Sequence, residues 1–125
     1  MEIIDVVCGV IEHQNKVLIA QRSDQPNLGR WEFPGGKVRV DENPFDALQR
    51  EIKEELDLSV QAKKEILDYT YRKFHLRFIL CSTYNPAIIK LKEHLNFKWV
   101  TKDELESYEF LDGDVEFVKY YRNLV

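Results

Sequence analysis

Three glutamates, Glu51, Glu54 and Glu55, lie within the segment QREIKEELDL at a spacing that could do chemistry. Residues three and four apart on a helix are neighbours, roughly 5–6 Å apart at Cβ, so the three carboxylates would converge. Charges of one sign repel each other at that distance, and a solvated helix face usually alternates them with cations. Two interpretations follow: a plain polar face, or a cation site in which Arg50 orients a carboxylate.

The segment PGGKVRVDE, just upstream of the glutamates, favours the cation site. Glycine lets a backbone carbonyl approach a ligand closely. Mg²⁺ takes oxygen ligands from carboxylates and carbonyls, and it retains waters and positions for substrate phosphates. A Gly-Gly loop beside a carboxylate-bearing helix therefore predicts a Mg²⁺ site.

Asn43-Pro44 marks the start of the helix that would carry these glutamates. Asparagine is a favoured N-cap and proline is favoured at the first helical position, so we predict a helix from Pro44 to about Leu56. Its apolar residues recur at the spacing of one buried stripe, away from the glutamates; they are Phe45, Leu48, Ile52 and Leu56.

Strand-like runs precede the helix. Residues 3–13 and 16–22 predict a hairpin with a turn at Gln14-Asn15. Residues 23–30 then form a loop, WEF is a brief extended piece, and PGG is another break.

Further strands and helices follow the acidic helix. Residues 65–74 and 75–84 predict two antiparallel strands, and 95–100 another. Thr101 and Glu104 fit a capping box that begins a short helix. A last helix begins after Asp112 and would pack inward through Val115, Phe117, Val118 and Tyr121. This order predicts one α+β domain over residues 1–125 with a mixed sheet.

Composition excludes several classes of protein. The chain is 44% hydrophobic and 32% charged, which is typical of a soluble globular protein. Its formal charge of −4 argues against stable nucleic-acid binding. No run approaches the ~18 apolar residues of a membrane span, and the N-terminal segment has no basic leader, so we expect a cytoplasmic protein. Cys8 and Cys81 lie in apolar runs and are expected to be buried, reduced thiols.

The glycine and the acidic helix together resemble the Nudix box, G-x5-E-x7-R-E-U-x-E-E-x-G-U, where U is a bulky aliphatic residue. The chain matches it from Gly36 through Glu42 and Arg50-Glu51 to Leu58, and it departs only at Asp57, where the box has glycine. WEFPGGK is similar to the MutT-like and CTP-pyrophosphohydrolase branches of this family. Asp57 lies at the helix end, so we expect a slightly strained left-handed residue, at a cost on the order of 1 kcal/mol, and an intact site.

The resemblance implies a fold, a cofactor and a set of site residues. The fold would be the Nudix α/β/α sandwich, with a central mixed sheet between the box helix and a C-terminal helix. The cofactor would be Mg²⁺ or Mn²⁺. Arg50 would orient the helix carboxylates, while Lys37 and Glu42 would assist near the phosphates. The implied metal ligands are the Gly36 carbonyl and the carboxylates of Glu51, Glu54 and Glu55.

A later acid, Glu93, lies six residues before Trp99, at a place similar to one from which MutT-like enzymes supply a further carboxylate. It could act in catalysis or bind the metal; it could equally be a solvated loop acid.

The resemblance also implies a substrate side. Arg22 ends the second predicted strand, where MutT-like proteins have an arginine that reaches the nucleotide, although it could be a surface residue. Phe33 is similar to a residue of the MutT base pocket, or it could belong to the core. Asp114 would read the base, with Asp112 as the alternative residue; one or both could merely cap the helix. A carboxylate only accepts hydrogen bonds when ionised, which suits an amino group such as cytosine N4, whereas a protonated one could still serve a purine.

These residues predict a Mg²⁺-dependent nucleoside triphosphate pyrophosphohydrolase that releases a nucleoside monophosphate and pyrophosphate. The substrate would be an oxidised purine triphosphate such as 8-oxo-dGTP, or (d)CTP and modified pyrimidine triphosphates. The alternatives are another nucleoside diphosphate-X substrate, such as a dinucleoside polyphosphate or an RNA 5′ end, and a nucleotide-sensing module without activity. We expect a monomer or homodimer.

Overall fold

The computed structural model describes residues 2–124. Within that range the chain forms seven strands, two α-helices and two 3₁₀ turns. They are β1 (Ile4–His13), β2 (Lys16–Gln21), β3 (Trp31–Glu32), β4 (Gly35–Lys37), α1 (Pro44–Leu56), β5 (Val60–Tyr71), β6 (Phe74–Thr83), β7 (Asn96–Val100), 3₁₀ turns at Asp103–Ser107 and Asp112–Asp114, and α2 (Val115–Arg122).

Strand β1 lies at the centre of the sheet, whose order is β3-β2-β1-β6-β5. It pairs in parallel with β6 along most of its length and antiparallel with β4 near its start. It pairs with β2 only beside the turn at Gln14 and Asn15, which both have positive φ, as a tight hairpin turn requires. The predicted hairpin and mixed sheet are therefore confirmed.

The side chains of β1 alternate between two cores, as the period of a strand demands. Val7 and Ile11 face α1, whereas Cys8 and Val10 face α2. One helix thus covers each face of the sheet, which confirms the predicted α/β/α sandwich. Cys8 and Cys81 are both buried and free.

Helix α1 begins and ends where the sequence predicts. The Asn43 side-chain oxygen accepts a hydrogen bond from the Asp46 amide at 2.9 Å, and Pro44 occupies the first helical position. The buried stripe consists of Ala47, Leu48, Ile52 and Leu56, with Phe45 partly buried. Through this stripe α1 packs on the sheet, where it contacts β1, β4 and β5.

The prediction of a break at PGG is wrong in part, because Gly35–Lys37 forms β4 against β1. A Cβ on Gly35 would lie 1.9 Å from the Val7 carbonyl oxygen, so only glycine allows this approach. Glycine pairs usually indicate loops, and the strand depends on contact with β1, which local sequence does not reveal.

The C-terminal helix also differs from its prediction. Phe117, Val118 and Tyr121 are buried, but Val115 is 39% exposed, because it lies two residues before Phe117 and points away from the buried stripe. The helix predicted after Thr101 is a 3₁₀ turn, where the Thr101 amide donates to the Glu104 carboxylate at 2.9 Å.

Asp57 ends α1 in the left-handed conformation, with φ 53° and ψ 30°, as expected. Its amide donates to the Lys53 carbonyl at 3.0 Å. Its carboxylate lies 3.3 Å from the Lys53 ammonium and 4.0 Å from that of Lys92. Hydrogen bonding to Lys53 and the nearby lysine charges hold its pKa below the ordinary value. Aspartate thus replaces a helix-ending glycine and adds charge pairs at the helix C-terminus.

Replacing Asp57 with alanine is expected to lower the free energy of unfolding by about 1 kcal/mol relative to the Asp57→Gly variant. Both variants lose the two charge pairs, so the comparison isolates the Cβ: alanine keeps the Cβ that disfavours positive φ, whereas glycine adopts the conformation freely. Urea unfolding of the two variants measures the difference. Equal stabilities would show that the helix end is not strained.

Candidate active site

Arg50 organises the acidic face of α1. Its Nε and Nη2 donate to the two oxygens of Glu42 at 2.8 and 2.9 Å, and its Nη1 donates to Glu51 at 3.0 Å and Glu54 at 3.3 Å. Nη2 also reaches the Lys37 carbonyl at 3.3 Å. The Arg50 hydrogen bonds lower the pKa of Glu42 to about 2, and Glu42 in turn raises the pKa of Arg50 above its usual range. One guanidinium therefore joins α1, β4 and the loop between them.

Glu55 is the buried member of the three glutamates. It is only 7% exposed, and its Oε1 atom is buried without a hydrogen-bond partner. Burial raises the pKa of its carboxyl well above the ordinary value, and the charges of Glu32, Glu51 and Glu93 raise it further. Such an arrangement is costly without a cation, because a buried charge needs a partner.

Gly36 lies directly against the Glu51 carboxylate. A Cβ at Gly36 would be 2.4 Å from the carboxylate carbon of Glu51 and 2.5–2.7 Å from its oxygens. Only a glycine leaves that space open, so the β4 backbone and the acidic helix meet here without an intervening side chain.

These residues fit a divalent cation. Mg²⁺ binds oxygen donors. Here the buried Oε1 of Glu55 has no partner, and the space at Gly36 that a Cβ would fill is open beside the Glu51 carboxylate. Among residues 2–124, however, no three acidic, cysteine or histidine side chains already converge as a metal cage. Glu51 and Glu54 instead pair with Arg50, at 3.0 and 3.3 Å.

Glu93 lies on the loop between β6 and β7, beside Glu55. The two residues line one cleft of about 420 Å³, which we call the side cleft, together with Ser23, Lys92 and other polar residues. The structure thus brings the later acid next to the box helix, as the resemblance implied.

A second cleft of about 460 Å³, the main cleft, lies next to the side cleft and shares Arg22, Glu32 and Gly35 with it. Its lining includes Gly36, Lys37, Phe33 and Asp114, so the residues proposed for the substrate side border one space. The volume is in the range of small-molecule sites.

Asp114 forms part of the buried wall of the main cleft. It is 5% exposed, and its Oδ2 accepts a hydrogen bond from the Phe33 amide at 3.1 Å. Burial raises the pKa of its carboxyl to about 8, with a further increase from the Glu32 charge, while the Phe33 amide and Arg22 act in the opposite direction. At neutral pH the group is therefore largely protonated, and it can donate as well as accept a hydrogen bond.

Asp112, the alternative to Asp114 for reading the base, lies in a different environment from the buried Asp114. The Asp112 side chain is 61% exposed at the cleft rim and pairs with Arg30 at 2.9 Å. Phe33 belongs to the core, where its ring stacks on Phe110, and it also borders the main cleft.

Two residues at the site, Glu32 and His94, were not identified from the sequence. Trp31 and Phe33 are buried on one face of the sheet, so Glu32 between them points to the other, where it meets Arg22 at 3.2 Å and His94 at 2.7 Å. An acid between two apolar residues in WEF is the signal that could have revealed Glu32. No local pattern indicates His94, which lies 62 residues away.

Replacing Arg50 with lysine is expected to reduce the hydrolysis predicted from the sequence on the order of 10- to 100-fold, the effect expected for a residue that orients the predicted metal ligands. A lysine ammonium cannot bind Glu42 through two parallel hydrogen bonds while also holding Glu51 and Glu54. Steady-state product release measures the loss, with circular dichroism to show an intact fold. The matched control is Arg77→Lys, because Arg77 pairs with Glu65 on the neighbouring strand at 3.0 Å. Equal activities of the two variants would contradict the role of Arg50.

The mixed sheet is covered by two helices, and one of them, α1, carries the carboxylates beside a cleft; together they define an α/β/α sandwich. The model of the NUDIX domain matches residues 2–121, so the chain belongs to the Nudix hydrolase family. Members of this family act on nucleotide substrates and generally depend on divalent metals. The chain is accordingly a nucleotide diphosphatase enzyme.

Individual relatives agree with this membership. The chain is 34% identical to an 8-oxo-dGTP diphosphatase of Buchnera aphidicola, covering 88% of this chain and 86% of the relative. It is 30% identical to the CTP pyrophosphohydrolase of Escherichia coli K12, covering 99% and 95%. Its structure matches that of MutT described for Aliivibrio salmonicida and Vibrio cholerae with a TM-score of 0.81 at 26% identity, over 95% and 96% of the two chains.

Neither helix of the described residues 2–124 has the length and apolar character needed to cross a membrane.

Proposed function

We propose that this protein is a Mg²⁺-dependent nucleoside triphosphate pyrophosphohydrolase that converts a triphosphate to a nucleoside monophosphate and pyrophosphate. The observation that carries the proposal is Glu55, a buried carboxylate with an unpartnered oxygen beside two joined clefts. The relatives named 8-oxo-dGTP diphosphatase and CTP pyrophosphohydrolase support the same reaction class.

Glu51, Glu54, Glu55 and the Gly36 carbonyl would hold the cation, with Glu93 as a further ligand or base. Mn²⁺ has similar ligand preferences and could replace Mg²⁺. When bound, a divalent cation neutralises phosphate charge and makes water more acidic.

The protein's own residues would then direct the hydrolysis. Lys37 and Arg22 border the main cleft and supply positive charge for the phosphates. Glu93 is exposed and the Glu54 side chain is 50% exposed, so either carboxylate can reach a water and accept its proton. The water would attack the β-phosphorus, and the bond from that phosphorus to the oxygen that bridges the α- and β-phosphates would break. The nucleoside monophosphate would leave with this oxygen, and the oxygen of the water would remain in pyrophosphate.

Asp114 would read the base at the buried wall of the main cleft. A neutral carboxyl presents one donor and one acceptor, and these match the N3 and N4 amino edge of cytosine. The O6 and protonated N7 edge of 8-oxoguanine offers the same pair. The structure therefore supports both substrates predicted from the sequence and explains why one residue could serve either.

A panel of triphosphates tests the proposal. Purified protein with Mg²⁺ is incubated with NTPs, dNTPs, 8-oxo-dGTP and modified pyrimidine triphosphates, and pyrophosphate and orthophosphate are measured separately. We expect pyrophosphate as the product, and isotopically labelled water should place its oxygen in pyrophosphate rather than in the monophosphate. If no triphosphate is hydrolysed, both leading substrates are rejected. If only a dinucleoside polyphosphate or a capped RNA is hydrolysed, the protein acts on another nucleoside diphosphate-X substrate instead.

A further inference from the structure

The loop between β6 and β7 is attached to the protein on both sides of Glu93. The Lys92 amide donates to the Glu55 carbonyl at 3.0 Å, and the Leu95 amide donates to the Gln21 carbonyl at 2.9 Å. The Ser23 hydroxyl donates to the Glu93 carbonyl itself. The backbone that carries Glu93 is thus joined directly to the residue proposed as the buried metal ligand.

His94 provides a buried side chain in this otherwise exposed segment. Its imidazole is 5% exposed, and its Nε2 atom lies 2.7 Å from Glu32 Oε2. The other ring nitrogen, Nδ1, is buried without a hydrogen-bond partner. Because a buried nitrogen without a partner is unfavourable, stability alone is a poor explanation for a histidine at this place.

Glu32 connects His94 to the rest of the site. Its side chain is 13% exposed, and its Oε1 accepts a hydrogen bond from Arg22 Nη1 at 3.2 Å. Arg22 in turn pairs with Asp24 at 3.0 Å. Arg22, Glu32 and His94 all line the side cleft together with Glu55 and Glu93. His94, Glu32 and Arg22 therefore form one chain of contacts from the loop to the end of β2, beside the two carboxylates of the side cleft.

We propose that His94, through its hydrogen bond to Glu32, is a positioning residue that holds Glu93 beside Glu55. The inference rests on the proposed pyrophosphohydrolase function, because it assigns Glu93 a part in that reaction. Without the bond, the loop would lose the side-chain anchor one residue from the acid, and its backbone hydrogen bonds would open more often. The Glu93 carboxylate would then lie beside Glu55 for a smaller fraction of the time.

A double-mutant cycle tests whether His94 acts through Glu93. His94→Phe keeps a ring of similar size in the buried space and removes the donor to Glu32. We expect it to lower kcat on the order of 10- to 100-fold with little change in KM. In a Glu93→Gln background the same replacement should change kcat by no more than a factor of about two. Equal losses in both backgrounds would overturn the proposal.

Two further variants separate positioning from general damage. His94→Gln retains a side-chain N–H donor for Glu32 and should recover most of the activity lost in His94→Phe. His75→Ala is the matched control, since His75 also bonds two carboxylates, Asp5 at 3.1 Å and Asp68 at 2.7 Å, and borders neither cleft. Failure of glutamine to restore activity would contradict the role of the hydrogen bond.

Hydrogen–deuterium exchange of the metal-free, nucleotide-free protein gives a readout that does not depend on activity. In His94→Phe we expect peptides over residues 86–95 to exchange at least about tenfold faster, because local opening becomes easier, while α1 remains protected. Unchanged exchange would overturn the attachment of the loop by His94. If the wild type hydrolyses no triphosphate but His94→Phe still exchanges faster, the proposed function is rejected, while the attachment of the loop by His94 is retained.

Discussion

Replacing Glu55 with glutamine is expected to reduce Mg²⁺-dependent pyrophosphate release on the order of 10²- to 10³-fold or more, comparable with removing a stabilising group from a preorganised site. The same replacement should raise the melting temperature of the metal-free protein. The two effects have one cause: a buried carboxylate among Glu32, Glu51 and Glu93 is unfavourable until a cation compensates it. Activity and stability should therefore change in opposite directions.

Steady-state kinetics and thermal unfolding with a chelator measure the two effects of Glu55→Gln. Glu54→Gln should lose activity to a similar extent but leave the melting temperature nearly unchanged, because the Glu54 side chain is 50% exposed. Glu116→Gln, at an exposed position on α2, is the control for the chemical change alone. Full activity in either Glu54→Gln or Glu55→Gln would reject the assignment of that residue to the metal.

The second large effect concerns Asp114. Asp114→Ala is expected to lower kcat/KM for the preferred triphosphate about 10- to 100-fold, because the base loses its partner and the Phe33 amide loses its acceptor. Asp114→Asn should retain most activity at neutral pH, since an amide offers a donor and an acceptor, as the protonated carboxyl does. Competition between substrates on the two variants measures the change. If Asp114→Asn is as impaired as Asp114→Ala, the proposal that Asp114 binds the base in its protonated form is contradicted.

The pH dependence of the Asp114 variants follows from the raised pKa. As pH rises through about 8 the carboxyl loses its proton and its donor, so kcat/KM of the wild type should fall in that range. The asparagine variant should not show this decrease. Asp112→Asn should behave like the wild type, because Asp112 is exposed at the rim. Parallel pH profiles for the wild type and Asp114→Asn would exclude Asp114 as the titrating group.

The stability of the protein should also depend on the ionisation of Asp114. The unfolded carboxyl titrates near its ordinary pKa of 3.8, whereas the folded one titrates at about 8. Between these values the native state binds a proton that the unfolded chain has lost, so the free energy of unfolding decreases as pH rises. The contribution of the protonated Asp114 to the free energy of unfolding is fully present below the pKa of the unfolded chain and is lost above about pH 8. Thermal unfolding of Asp114→Asn should depend less on pH in this window.

The sequence by itself determined the features that depend on near neighbours. Helix α1 begins at Pro44 and ends at Leu56 as predicted, because its cap and its apolar stripe involve residues at most four positions apart. The Gln14-Asn15 turn and the left-handed Asp57 follow from similarly local preferences. The Nudix family was recognised for the same reason, since its box is one continuous segment of the chain.

Only the tertiary structure decided which of these groups are buried and which distant residues they meet. The Gly35–Lys37 strand exists because β1 approaches it, and Val115 is exposed because α2 turns other residues toward the sheet. The same holds for the burial of Asp114 and the exposure of Asp112, and for the contact of His94 with Glu32 across 62 residues. Burial and long-range pairing arise when distant segments pack together, and spacing along the chain carries no record of that packing. The spacing therefore identified the carboxylates, while the packing established that Glu55 is buried and that Glu93 lies beside it.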